Sequence, residues 1–134
     1  MLTLFVIPSG KPNADYNQTV ESFKASGVPV KAVMAQTWRD VNDYRYKDIW
    51  YAVFWDNEGI DENLQKALET HLNNKNPDCL ILYKRVNEKE AEYRTRFMRR
   101  TVWLTHDYAP LEQWMKPETI LDGWVIDHAS RDTH

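Results

Sequence analysis

At 134 residues the chain has the length of one ordinary domain, residues 1–134, and can bury a core without a covalent staple. Its formal net charge of −3 and pI near 5.8 exclude the basic field that general nucleic-acid coating requires. The lone cysteine, Cys79, excludes an internal disulfide, and no run approaches the ~18 apolar residues of a membrane span.

In chain order, Leu2 to Ile7 is an apolar run stopped by Pro8-Ser9-Gly10, which reads as a buried strand and a turn. It has no basic leader and is too short for a signal peptide, so the expected location is the cytosol. Asp15 to Ser26 places Tyr16, Val20 and Phe23 on one helical face, with Gly27 as a stop. Val30 to Ala35 is a second short strand, whereas Gln36 to Asp48 mixes polar and aromatic residues and declares no element. Ile49 to Trp55 is continuously apolar, the pattern of an interior, parallel-type strand.

Asp61 to Asn74 is a helix with Asp61 as N-cap and Ile60, Leu64, Ala67, Leu68 and Leu72 on one stripe. Cys79 to Tyr83 is another interior strand, and strand, helix and strand form a right-handed βαβ unit. Tyr93 to Leu104 is a strand or hairpin rich in arginine, Pro110 to Met115 a short helix, and Ile120 to Ile126 a last strand before a polar tail. This alternation predicts an α/β fold with a mostly parallel sheet flanked by helices.

Parallel sheets place ligand sites beyond the carboxyl ends of their strands, and Asp56-Asn57-Glu58 lies at such an end. If the backbone stays extended, Asp56 and Glu58 point the same way, and two hard carboxylates suit Mg²⁺ or Mn²⁺. The same residues could equally cap the following helix.

The segment from Trp50 through Asp56-Asn57-Glu58, the next helix and Asp78-Cys-Leu-Ile-Leu-Tyr83 resembles the middle of family 2 glycosyltransferases of the GT-A fold. There an apolar strand runs into an Asp-x-Asp-like motif. Leu4-Phe-Val-Ile-Pro8 resembles the family's first strand, Arg96-Phe-Met-Arg-Arg100 its Arg-Leu-Phe-Arg-type segment, Thr105-His106-Asp107 its His-Glu pair, and Ile120 to His128 its closing strand and histidine. The resemblance implies a reduced GT-A (Rossmann-like) sandwich that moves a sugar from a nucleotide-sugar donor to a hydroxyl acceptor with the help of Mg²⁺ or Mn²⁺. By the same resemblance Asp56, Glu58 and His128 hold the metal, Arg96 and His106 hold the donor's phosphates, and Asp107 is the base that takes the acceptor's proton.

A second expectation belongs to another class: a non-catalytic binding protein on a degenerate glycosyltransferase scaffold, acting through protein–protein interaction. It is motivated by the short chain and by a second strand, Val30 to Ala35, without the family's acidic end. Other features stay open to two readings. Arg94, Arg96, Arg99 and Arg100 are a phosphate clamp or a solvated face balanced by Glu88, Glu90 and Glu92. Trp38, Tyr44, Tyr46 and Trp50 stack on a ligand or fill a core. Ser9-Gly10-Lys11 fails as a phosphate loop, because the upstream glycine is missing and Pro12 replaces the Ser or Thr.

Overall fold

A computed structural model describes residues 1–112 and 115–129. Seven strands form one sheet: β1 (Leu2–Ile7), β2 (Val30–Met34), β3 (Trp50–Trp55), β4 (Glu58–Ile60), β5 (Cys79–Arg85), β6 (Ala91–Arg99) and β7 (Pro117–Asp127), in the order β2-β1-β3-β6-β5-β7-β4. Among the described residues three α-helices accompany them, α1 (Tyr16–Lys24), α2 (Trp38–Tyr44) and α3 (Glu62–Asn73), with a 3-10 turn, Arg45–Lys47, directly after α2.

The sheet corrects the expected architecture. It is a strongly curled, mixed sheet, a half-barrel, and not a helix-flanked, mostly parallel Rossmann-like sandwich. Parallel pairing joins β1 to β2, β1 to β3 and β5 to β7; antiparallel pairing joins β3 to β6, β5 to β6 and β4 to β7. The cause is β6, which folds straight back from β5 and inserts between β3 and β5. The two apolar strands flanking α3 are therefore not neighbours. Irregularities opposite Leu80/Ile81 and between Ile81 and Tyr83 fall on both sides of β5, and such bulges raise local twist and curl.

The two faces are covered unequally. On one, α1 and α3 bury Val20, Phe23, Leu64, Leu68 and Leu72 against Leu4, Phe54, Leu80 and Phe97. Phe23 meets Phe54 edge-on at 4.8 Å, a favoured geometry for aromatic pairs. Among the described residues the other face carries the short α2, through Val41, and the irregular chain after β6, through Val102 and Leu104, over Phe5, Tyr51 and Met98. Polar tips of buried rings are satisfied: Trp50 Nε1 donates to Leu72 O at 2.8 Å and the Tyr51 hydroxyl donates to Val102 O.

Local signals account for the helices. Asp15 and Asp61 cap α1 and α3, Asp61 as the sequence predicts. In the undeclared stretch, Thr37 and Asp40 form a reciprocal capping box that starts α2, a signal present in the sequence. The short β4 was not foreseen. Pro110 to Glu112 and Met115 are not helical; Gln113 and Trp114, which complete the expected helix, lie outside the described residues, as does the tail from 130 to 134. Among the described residues no helix is long and apolar enough to cross a membrane.

Where β7 crosses α3, Gly123 has no room for a side chain: an added Cβ would lie 2.5 Å from Leu64 Cβ and 3.0 Å from its Cα. Gly123→Ala is expected to cost roughly 1–3 kcal/mol by overpacking. Urea unfolding monitored by tryptophan fluorescence checks this as a lowered midpoint.

Candidate functional site

The chain leaves β3 through a tight turn. The Asp56 N–H donates to Ile7 O at 2.9 Å, and Asp56 Oδ1 accepts from the Ser9 N–H at 2.9 Å. The Asp15 N–H is shared between Asp56 O at 3.0 Å and His128 Nε2 at 3.2 Å, so that ring nitrogen acts as an acceptor. His128 N donates to Asn57 O at 2.9 Å. Asp56, Glu58 and His128 thus lie at one corner of the sheet, where Asp56 Oδ1, His128 Nε2 and both Glu58 oxygens are taken up by neighbouring backbone and side chains.

Glu58, 3% exposed, is the most engaged. Its Oε1 accepts from Trp55 N at 3.0 Å and from Arg96 Nη1 at 2.6 Å; its Oε2 accepts from Arg96 Nη2 at 2.9 Å and from Lys84 Nζ at 2.7 Å. Burial alone would raise this carboxyl's pKa, yet the Arg96 and Lys84 contacts hold it down at about 2. Lys84 also lies 3.5 Å from Asp127 Oδ2, which Lys11 Nζ meets at 3.2 Å.

Arg96 reaches this position because it is the extra residue of a bulge. Leu80 faces Phe97 and Ile81 faces Thr95, so Arg96 is unpaired and re-aimed toward Phe54 and Trp55, 5.1 and 5.7 Å from their ring centroids. Its role is to neutralise Glu58.

This corner does not fit Mg²⁺ or Mn²⁺. A divalent ion at Glu58 would have to displace a guanidinium and an ammonium from a site that already balances the carboxylate. Among the described residues no group of three or more His, Cys, Asp or Glu side chains is placed to hold a metal ion.

His106 and Asp107 lie in the turn after β6 and make no hydrogen bond or ion pair with Asp56, Glu58 or His128. Both are exposed and pair with each other at 3.1 Å. Thr105 N donates to Ala109 O at 2.7 Å, and Tyr108 N to Thr105 O at 2.9 Å. The turn holds Tyr108 in the left-handed region at φ 58°, a strained setting for a bulky residue. The strain places the Tyr108 ring on Trp55, with centroids 5.5 Å apart, and docks the turn against the end of β3.

Between this turn and β5 and β6 lies a cleft of about 620 Å³, walled by Ile81, Tyr93, Arg94 and Thr95 of the sheet and by Asp107, Pro110, Glu112 and Met115, so that among the described residues one cation and two carboxylates line it. A smaller hollow of about 280 Å³ adjoins it, lined by Ser9, Lys11, Trp55, Lys84, Arg94 and Arg96 among others. Arg94, exposed and 5.2 Å from the Trp55 ring centroid, borders both. Sequence reasoning missed Lys84, Asp127, Ile81, Thr95 and Tyr108 as site residues. A lysine directly after the apolar Cys79–Tyr83 run and an aspartate ending the last strand were the available signals.

Two measurements check the Glu58 network. Folded Glu58 gives up its proton at about 2, against an ordinary value of 4.5. As pH falls below about 4.5 the unfolded chain binds a proton that the folded chain refuses, so stability is lost progressively down to about 2. The loss is on the order of 3 kcal/mol, read from urea midpoints across that range, and Glu58→Gln should flatten it. Arg96→Met leaves a buried carboxylate short of its main partner and should cost roughly 3–5 kcal/mol, whereas the double variant Glu58→Met/Arg96→Met should lose less than either single one, a coupling read from a double-mutant cycle.

No protein-family model matches the chain, and neither the search of curated proteins nor the search of solved structures finds a match.

Proposed function

We propose that this chain is a small-molecule binding protein whose ligand sits in the cleft between the β5–β6 sheet surface and the turn from Thr105 to Pro110. The observation that carries this is the cleft itself, with one arginine at its rim that has no carboxylate partner among the described residues. At about 620 Å³ it falls in the size range of ligand sites. Ile81, Tyr93, Pro110 and Met115 supply apolar wall for a flat body, and Arg94 supplies a fixed positive charge for an anionic substituent. The strained Tyr108 supports it further, because strain that persists in a loop commonly accompanies a site built in advance of its ligand.

Of the two functions expected from the sequence, binding is the better supported, with a concave small-ligand site in place of a flat protein-binding face. Metal-dependent sugar transfer is less well supported, since both oxygens of Glu58 are taken by Arg96, Lys84 and the Trp55 amide. One observation favours a second reading, sugar transfer to a hydroxyl without that metal: Asp107 borders the same cleft as Arg94 and could accept the proton of a hydroxyl placed there.

Thermal stability in the presence of aromatic carboxylates and nucleoside monophosphates tests the proposal. A binder at a hundred times its dissociation constant adds about 2.7 kcal/mol and raises the melting temperature. Thr95→Trp, which fills the cleft, should abolish the shift, and Arg94→Gln should weaken it for anionic compounds. No shift with any compound, or an equal shift in Thr95→Trp, defeats the proposal. Asp107→Asn separates the two readings: binding survives in both, and turnover of a nucleotide-sugar by wild type but not by the variant would establish transfer.

A further inference from the structure

The geometry points to a second binding site, for a compact oxyanion such as a phosphate group, in the basic hollow next to the cleft. It rests on residues that the ligand cleft does not use, Arg94 apart.

Four cationic side chains converge on this hollow from three parts of the chain: Lys11 from the loop after β1, Lys84 from the end of β5, and Arg94 and Arg96 from β6. Such a concentration stands out in a chain with a formal charge of −3. The carboxylates at hand do not saturate it. Glu58 is fully engaged by Arg96, Lys84 and the Trp55 amide. Asp127 serves two ammonium groups on a single oxygen, Oδ2, at 3.2 Å from Lys11 and 3.5 Å from Lys84. Glu92 lines the hollow but is exposed. Arg94 meets the Trp55 ring and no carboxylate among the described residues.

One donor is left over inside the protein. Arg96 is 2% exposed, and its Nε–H has no acceptor among the described residues. Buried donors without acceptors are rare and costly; sealed from solvent, this one adds to the positive field beside the hollow and makes no direct contact with a ligand in it. Half-exposed Lys11 and exposed Arg94 add N–H groups at the mouth. Donors arriving from several directions with surplus positive charge match the oxygens of a tetrahedral anion. A metal cation would be repelled by the same surroundings.

The oxyanion could be free, or it could be the anionic arm of a ligand whose body lies in the cleft, since Arg94 borders both hollows. Titrating the ¹⁵N-labelled chain with inorganic phosphate at constant ionic strength tests the site. Saturable shifts are expected at the amides of Ser9, Lys11 and Arg94. Lys11→Gln and Arg94→Gln, both exposed and tolerant positions, should each weaken binding roughly tenfold, the scale of one charge-assisted contact. Lys31→Gln, on the edge strand β2, should change nothing. Phenyl phosphate then distinguishes the sources. Tighter binding that Thr95→Trp reduces to the level of inorganic phosphate identifies an anionic arm, and equal binding unaffected by Thr95→Trp identifies a free anion. Inorganic phosphate binding should survive Thr95→Trp in either case, so failure of the cleft and failure of this site are distinguishable. Shifts that grow linearly without saturating, that chloride reproduces, or that persist in Lys11→Gln and Arg94→Gln overturn the assignment.

Discussion

Glu58 stands where the apolar β3 gives out, and its two oxygens take donors from three strands: the Trp55 amide of β3, both terminal nitrogens of Arg96 on β6, and the ammonium of Lys84 on β5. The backbone joins β5 to β6 here, through pairs such as Lys84 with Glu92, but it does not join β3 to β6. β3 and β6 pair only over Trp50–Ala52 and Phe97–Arg99. Beyond that the curl of the sheet parts them, and the carboxylate with its two cations spans the gap. An ion pair this deep adds less net stability than its short contacts suggest, because desolvation opposes the Coulomb attraction. Its effect here is geometric: with Glu58 bound to Arg96, the bulge on β6 and the turn after β3 each have one arrangement.

That arrangement opens the space around it. Because Arg96 is turned inward by the bulge, Arg94 is left outside on the Trp55 ring without a carboxylate partner among the described residues. Trp55 carries Tyr108 as well, and through it the turn that presents Asp107. The large cleft and the basic hollow are therefore two consequences of one local event, the parting of β3 from β6, and Arg94 marks their common border.

The acidic tripeptide shows how residue type and residue use come apart. Asp56 and Glu58 follow an apolar strand as the sequence reading required, but the backbone does not stay extended between them: it turns at Asp56-Asn57. A carboxylate binds whichever positive group arrives with the least reorganisation, and here that group is supplied by Arg96 and Lys84, far along the chain. His128 likewise lies beside Asp56 and Asn57, but its nitrogen accepts a backbone N–H. Glu58 keeps no oxygen open for coordination, and Arg94, two residues before Arg96, meets no carboxylate among the described residues.

What the sequence determined by itself is local. Apolar runs placed β1, β3 and β5, an apolar face with a glycine stop placed α1, and a capping aspartate with an apolar stripe placed α3, because these elements follow from contacts within a few residues. Even α2 was written in Thr37 and Asp40. Strand order was not legible. An apolar run signals burial on both faces but does not name its neighbour, so the insertion of β6 between β3 and β5 depended on the hairpin and bulge geometry of the whole sheet. The site followed the same division. Asp56 and Glu58 could be picked out as carboxylates at a strand end, and Arg96 and His128 through the resemblance, but whether a carboxylate faces a cation, an amide or open space is set by side chains tens of residues distant, and only the folded sheet brings those together.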